Sequence, residues 1–120
     1  MKIAINKRYG GFSVSREVVD KLRLKGHKIV VDGELYRDGS GHRKNGDKHG
    51  YYLDNEDFGI QSENLYQYRS HPDLIEAIET SKKPNGFLSC IKVIEIPDGV
   101  DWELDSYDGV ESIHEKHRAW

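Results

Sequence analysis

The first segment of the chain that could do chemistry is Lys7-Arg8-Tyr9-Gly10-Gly11-Phe12. A glycine turn between a strand and a helix can present backbone N–H groups to an anion, while two cations supply charge and two rings supply stacking faces. That composition suits a nucleotide-sized anion. It matches neither the P-loop pattern nor GxGxxG, so it is not a nucleoside-triphosphate fingerprint. The same residues would also serve as a tight turn with two exposed cations and two core aromatics.

Two later segments repeat the theme. Tyr66-Gln67-Tyr68-Arg69 pairs rings with a guanidinium, and Asn85-Gly86-Phe87 sets an amide beside a ring. Rings stack on bases, arginine forks onto phosphate and asparagine reads a purine edge. Tyrosines on a strand also pack half-buried with their hydroxyls in water.

Other chemistry finds less support. Glu111-x-x-His114-x-x-His117 has the spacing of a helical metal motif, but a bundle site needs a second such motif on a facing helix. His42, Asp47 and His49 lie in a polar loop without fixed geometry, and His27 follows Gly26, where a cation suits a helix C-terminus. Cys90 sits in the most apolar strand, where a buried inert thiol is the default. Residues 98–115 are rich in Asp and Glu, contain no Lys or Arg, and include Trp102 and Tyr107. Such a run is either a solvated face or an imitation of a phosphate ladder. No nucleophile motif, catalytic constellation, cofactor or metal site is expected.

The elements that must position these residues follow from periodicity and punctuation. Ile3 and Ile5 alternate with polar neighbours, which predicts a short strand before the glycine loop. Ser15 then caps a helix over 16–25 that ends at Gly26, with Val18, Val19 and Leu22 as its apolar face. Asp32-Gly33 between β-prone runs predicts a hairpin. Residues 38–50 have no apolar side chain and predict a mobile polar loop. Residues 51–53 and 65–69 are strand candidates. His71-Pro72-Asp73 opens a second helix reaching about Thr80, with Leu74, Ile75 and Ile78 inward. Ser89–Ile96 is the best strand, Trp102–Asp105 is expected to pair back on it, and a terminal helix follows Asp108-Gly109. The pattern predicts one α+β domain over 1–120, a mostly antiparallel sheet of about five strands with two to three helices.

Composition narrows the function classes. The chain has 120 residues and a formal net charge of −3. Residues 1–50 carry 12 Lys/Arg against 6 Asp/Glu, and residues 51–120 carry 6 against 15. The basic half can gather phosphate and the acidic half can repel or imitate it; the two can equally attract each other within one fold. One cysteine excludes an intrachain disulfide, and no apolar run approaches the ~20 residues that span a bilayer. The opening residues turn polar at once, unlike a signal peptide. The expectation is a cytoplasmic protein with no membrane partner and no long nucleic acid.

The blocks Met-Lys-Ile-x-Ile-Asn-Lys-x-Tyr-Gly-Gly-Phe-x-x-Ser at 1–15, Arg-x-x-Pro-x-Leu-Ile at 69–75, Asn-Gly at 85–86 and Ile-Lys-Val-Ile-Glu-Ile-Pro-Asp-Gly-Val-x-Trp-Glu-Leu from 91, with the terminal Glu-Lys-His-Arg-x-Trp, resemble a group of small phage and prophage proteins. That group is similar to the phage anti-Thoeris sponges, multimeric proteins that sequester cyclic ADP-ribose-type signals and in some cases cyclic oligonucleotides. The resemblance implies no catalysis, a homo-oligomer (hexameric in that family), and pockets between subunits. It marks Arg8, the adjoining Gly10 loop, Arg69 and Lys92 as anion contacts. The expected function is an anti-defence protein that binds a small cyclic nucleotide without cleaving it. The alternative is a protein-binding inhibitor that presents the acidic 98–115 face to a nuclease or other nucleic-acid-binding protein.

Overall fold

The computed structural model describes residues 1–9, 11–29, 50–86 and 89–115. Gly10, Phe87, the Asp32-Gly33 hairpin, all but the last residue of the 38–50 loop, and the chain from Lys116 lie outside the described residues. The architecture is α+β, with two α-helices and two small antiparallel sheets among the described residues.

β1 (Lys2–Asn6) pairs antiparallel with β2 (Ile91–Glu95), in a register running from Lys2 opposite Glu95 to Asn6 opposite Ile91. The alternation of β1 divides the interior in two. Ile3 and Ile5 join Trp102 and Leu104 in one buried cluster, and Ala4 joins the helices in the other. A strand covered on both faces needs no outward polar row, which is why Ile3-Ala4-Ile5 is apolar throughout.

α1 (Arg16–Leu24) begins where Ser15 Oγ accepts the Val18 amide, and it buries Val18, Val19 and Leu22. It ends at Gly26, whose φ of +96° a side chain would resist. α2 (Pro72–Thr80) is capped by His71 Nδ1, which accepts the Asp73 amide, and it buries Leu74, Ile75, Ala77 and Ile78. The two helices pack together, and Glu17 of α1 accepts the amides of Lys82 and Lys83 just beyond α2. Two predicted helices therefore stand almost as read. Among the described residues no helix is long and apolar enough to cross a membrane.

The C-terminal third differs from the reading. β3 (Trp102–Tyr107) pairs not with the strand before it but with β4 (Val110–Glu115), which replaces the predicted terminal helix over its described part. The spacing of Val110 and Ile113 fits a helix, but Asp108 (φ 50°) and Gly109 (φ 86°) form a two-residue turn with both residues left-handed. That geometry matches the twist of a β-ribbon and closes a hairpin.

Four strands form among the described residues, against about five expected. Tyr51 makes only an isolated bridge with Val14. Gln67–Ser70 forms a 3₁₀ turn rather than a strand. There Asn64 Oδ1 accepts the Tyr66 amide and Asn55 Oδ1 accepts the Tyr68 amide, taking donors that a sheet ladder would need.

Candidate ligand-binding surface

Arg69 is withdrawn from solvent, only 3% exposed. Its Nη1 and Nη2 donate to Glu111 Oε1 at 2.6 Å and Oε2 at 2.9 Å, Nη1 also reaches Ala4 O at 3.3 Å, and Nε donates to Tyr68 Oη at 2.7 Å. The guanidinium lies 3.7 Å from the centre of the Phe12 ring and 5.1 Å from that of Tyr68. Burial pulls its pKa down, but the Glu111 and Tyr68 partners more than offset this and hold it above the usual value. A charge so completely answered is a cross-link between the 3₁₀ turn, β1 and β4. Glu111 is thereby withdrawn from the acidic face, and because Glu111 and His114 lie on the strand β4 the Glu-x-x-His spacing is not helical over its described part.

Burial also pushes the Tyr68 hydroxyl above its ordinary value, more than the neighbouring Arg69 lowers it. A raised pKa on an acid contributes stability that is fully present below the unfolded value near pH 10 and is lost as pH climbs through the folded one. In an alkaline absorbance titration the Tyr68 tyrosinate is expected to appear late, and Tyr68→Phe should remove that delayed fraction. Loss of none of it on substitution would contradict the assignment.

The outward-facing loop is organised by a different residue, Asn6, which is fully buried. Its Nδ2 donates to both Arg8 O and Gly109 O, and its Oδ1 accepts the Cys90 amide at 2.9 Å. The Lys7 amide donates to Cys90 O at 2.8 Å, continuing the β1–β2 ladder by one step. One carboxamide thus holds the Lys7-Arg8-Tyr9 loop against the Tyr107-Asp108-Gly109 turn. Lys7, Arg8 and Tyr9 are exposed, as is Tyr107. Lys92, opposite Ile5, is also exposed, at the same end of the β1–β2 ladder. Among the described residues neither Lys7 nor Arg8 has a carboxylate partner within ion-pair distance.

The predicted site residues therefore separate into groups. Lys7, Arg8, Tyr9 and Lys92 remain on the surface at one end of the sheet. Phe12, Tyr68 and Arg69 pack inside. Tyr66 lines a cleft with Leu65, Trp102, Leu104 and the carboxylates of Glu63 and Glu103, surroundings that repel phosphate. Asn85 spends its Oδ1 on the Ile91 amide at 2.7 Å, and the Gly86 amide donates to Ser13 O, so this pair builds a turn. Gly11 is described; Gly10 and Phe87 are not. On β3, Glu103, Asp105 and Tyr107 point outward while Trp102 and Leu104 point in, and Asp105 meets His114 Nε2 at 2.9 Å.

Reading the sequence missed Asn6 and the Tyr107–Gly109 turn as parts of the loop's support. A single asparagine ending an apolar strand was the signal available, since a polar side chain there must find partners when both faces are covered. No protein family, curated protein or solved structure matches the chain.

Proposed function

We propose that the protein binds a small cyclic nucleotide signal and withholds it without cleaving it. Lys7 and Arg8 hold phosphate, Tyr9 offers a stacking face, and Lys92 adds charge at the same end of the sheet. The observation that carries this reading is the pairing of two exposed cations, free of carboxylate partners among the described residues, with an exposed ring on a loop that buried Asn6 fixes in place. Preorganised cations and rings lose little freedom on binding, which favours affinity for anions with bases. Because the loop is exposed, a second copy of the chain supplies the opposite wall, in keeping with the multimeric sponges that the sequence resembles.

The test is retention. The pure protein is incubated with cyclic ADP-ribose isomers and with cyclic di- and trinucleotides, desalted and denatured, and the released material is analysed. Unaltered ligand is expected, and Arg8→Ala should reduce retention at least tenfold while leaving the melting temperature unchanged. Retention of nothing would sink the reading, and return of altered ligand would make the protein an enzyme.

The outward row Asp101, Glu103 and Asp105 supports a second reading, a protein that occupies a nucleic-acid-binding surface. Charge reversal at these three positions would then abolish activity while Arg8→Ala would not. The sponge reading requires the opposite ranking.

A further inference from the structure

The chain brings His27 to two side chains at the start of α2, His71 and Asp73, that stand more than forty residues further along the sequence. Gly26 ends α1, and the His27 amide turns back to donate to Leu22 O at 3.2 Å, which fixes His27 against the start of α2. There His27 Nε2 lies 2.7 Å from Asp73 Oδ2, and the His71 ring stands edge-on to that of His27 with centroids 5.3 Å apart. One ligand atom from each of His27, His71 and Asp73 falls within 4.8 Å of the others. The ring of Phe58 packs on both imidazoles, at 4.9 and 5.0 Å between centroids, walling one side with hydrocarbon.

The geometry points to a divalent transition-metal site of the zinc class formed by His27, His71 and Asp73. Two imidazoles and one carboxylate are a common three-ligand set for such ions, leaving a fourth position for water or an incoming ligand. Ligand atoms around tetrahedral zinc sit roughly 3.3–3.5 Å apart, so the widest separation in the observed set needs a contraction of up to about 1.4 Å. His27 and Asp73 are already closer than that and would open slightly as the metal replaces their hydrogen bond. The His71 ring would exchange its bond from the Asp73 amide for the metal. Lys25 approaches the other carboxylate oxygen, Asp73 Oδ1, at 3.5 Å and keeps Glu76 as its partner at 2.8 Å, so it need not block Oδ2. A bound ion would clamp the C-terminal end of α1 to the N-terminal end of α2.

Zn²⁺ alone is the probe. One ion per chain is expected by native mass spectrometry, with a rise in melting temperature of roughly 10 °C at a hundredfold excess over its dissociation constant, reversed by chelation. His27→Gln and Asp73→Asn should each weaken binding at least tenfold, whereas the double change His42→Ala with His49→Ala should not. Should either site variant fail to fold, Co²⁺ added to the unaltered protein supplies the answer: its paramagnetism should broaden amide signals near residues 27, 58 and 71–73. No binding, or broadening confined to other residues, would overturn the site.

Discussion

Replacing Glu111 with alanine is expected to lower the unfolding free energy by about 3–5 kcal/mol. The carboxylate accepts two guanidinium bonds from Arg69 and the Asn6 amide at 2.7 Å, all out of solvent. Removing it leaves a buried cation and a buried backbone donor unanswered, a larger loss than the pair's net worth. Glu111→Gln keeps an acceptor for the Asn6 amide and should fall between. Replacing the pair together, Arg69→Met with Glu111→Leu, should recover part of the loss, because the buried cation is removed along with its partner while the Asn6 amide still lacks its acceptor. Urea unfolding followed by circular dichroism measures all four proteins. A cost below about 1 kcal/mol for Glu111→Ala would mean that the pair is solvated.

The consequence for function is direct. Arg69→Ala should impair any activity by unfolding the protein, while Arg8→Ala should impair ligand retention alone. An arginine beside rings can therefore look like a ligand contact in sequence and serve as a cross-link in the fold.

Gly86→Ala is expected to destabilise the protein by about 3 kcal/mol, the upper end of the cost of overpacking. A Cβ built at Gly86 would lie 2.2 Å from Ser13 Oγ, 2.8 Å from Ser13 Cβ and 3.0 Å from the Ser13 carbonyl carbon. Ser13 cannot swing away easily, since it is buried and its carbonyl already accepts the Gly86 amide. Combining the change with Ser13→Gly removes the two closest atoms and should restore part of the loss. Chemical denaturation of the single and double variants checks this, and an unaltered midpoint for Gly86→Ala would show that the two segments can part there. The glycine is thus required by close approach of the chain segments at 13 and 86.

Both helices were legible because their signals are local: Ser15 and His71-Pro72 open them, Gly26 stops the first, and apolar spacing marks the inward faces. β1 and β2 were legible from short alternating or β-branched runs. The partners of strands were not, because pairing depends on which turn closes first. Asp108-Gly109 closed a ribbon where Val110 and Ile113 also fitted a helical stripe.

The same division holds for the candidate sites. By itself the sequence determined that Lys7-Arg8-Tyr9 would be a cationic, aromatic loop beside a strand, since charge and glycine keep such a segment at the surface. It also determined the α+β class and the contrast between a basic front and an acidic end. Which charges remain available follows from the folded chain. It spent Arg69 on Glu111 across 42 residues and joined His27 to Asp73 across 46. The physical reason is that a buried charge must find its partner in space, and that partner's position along the chain carries no local signal.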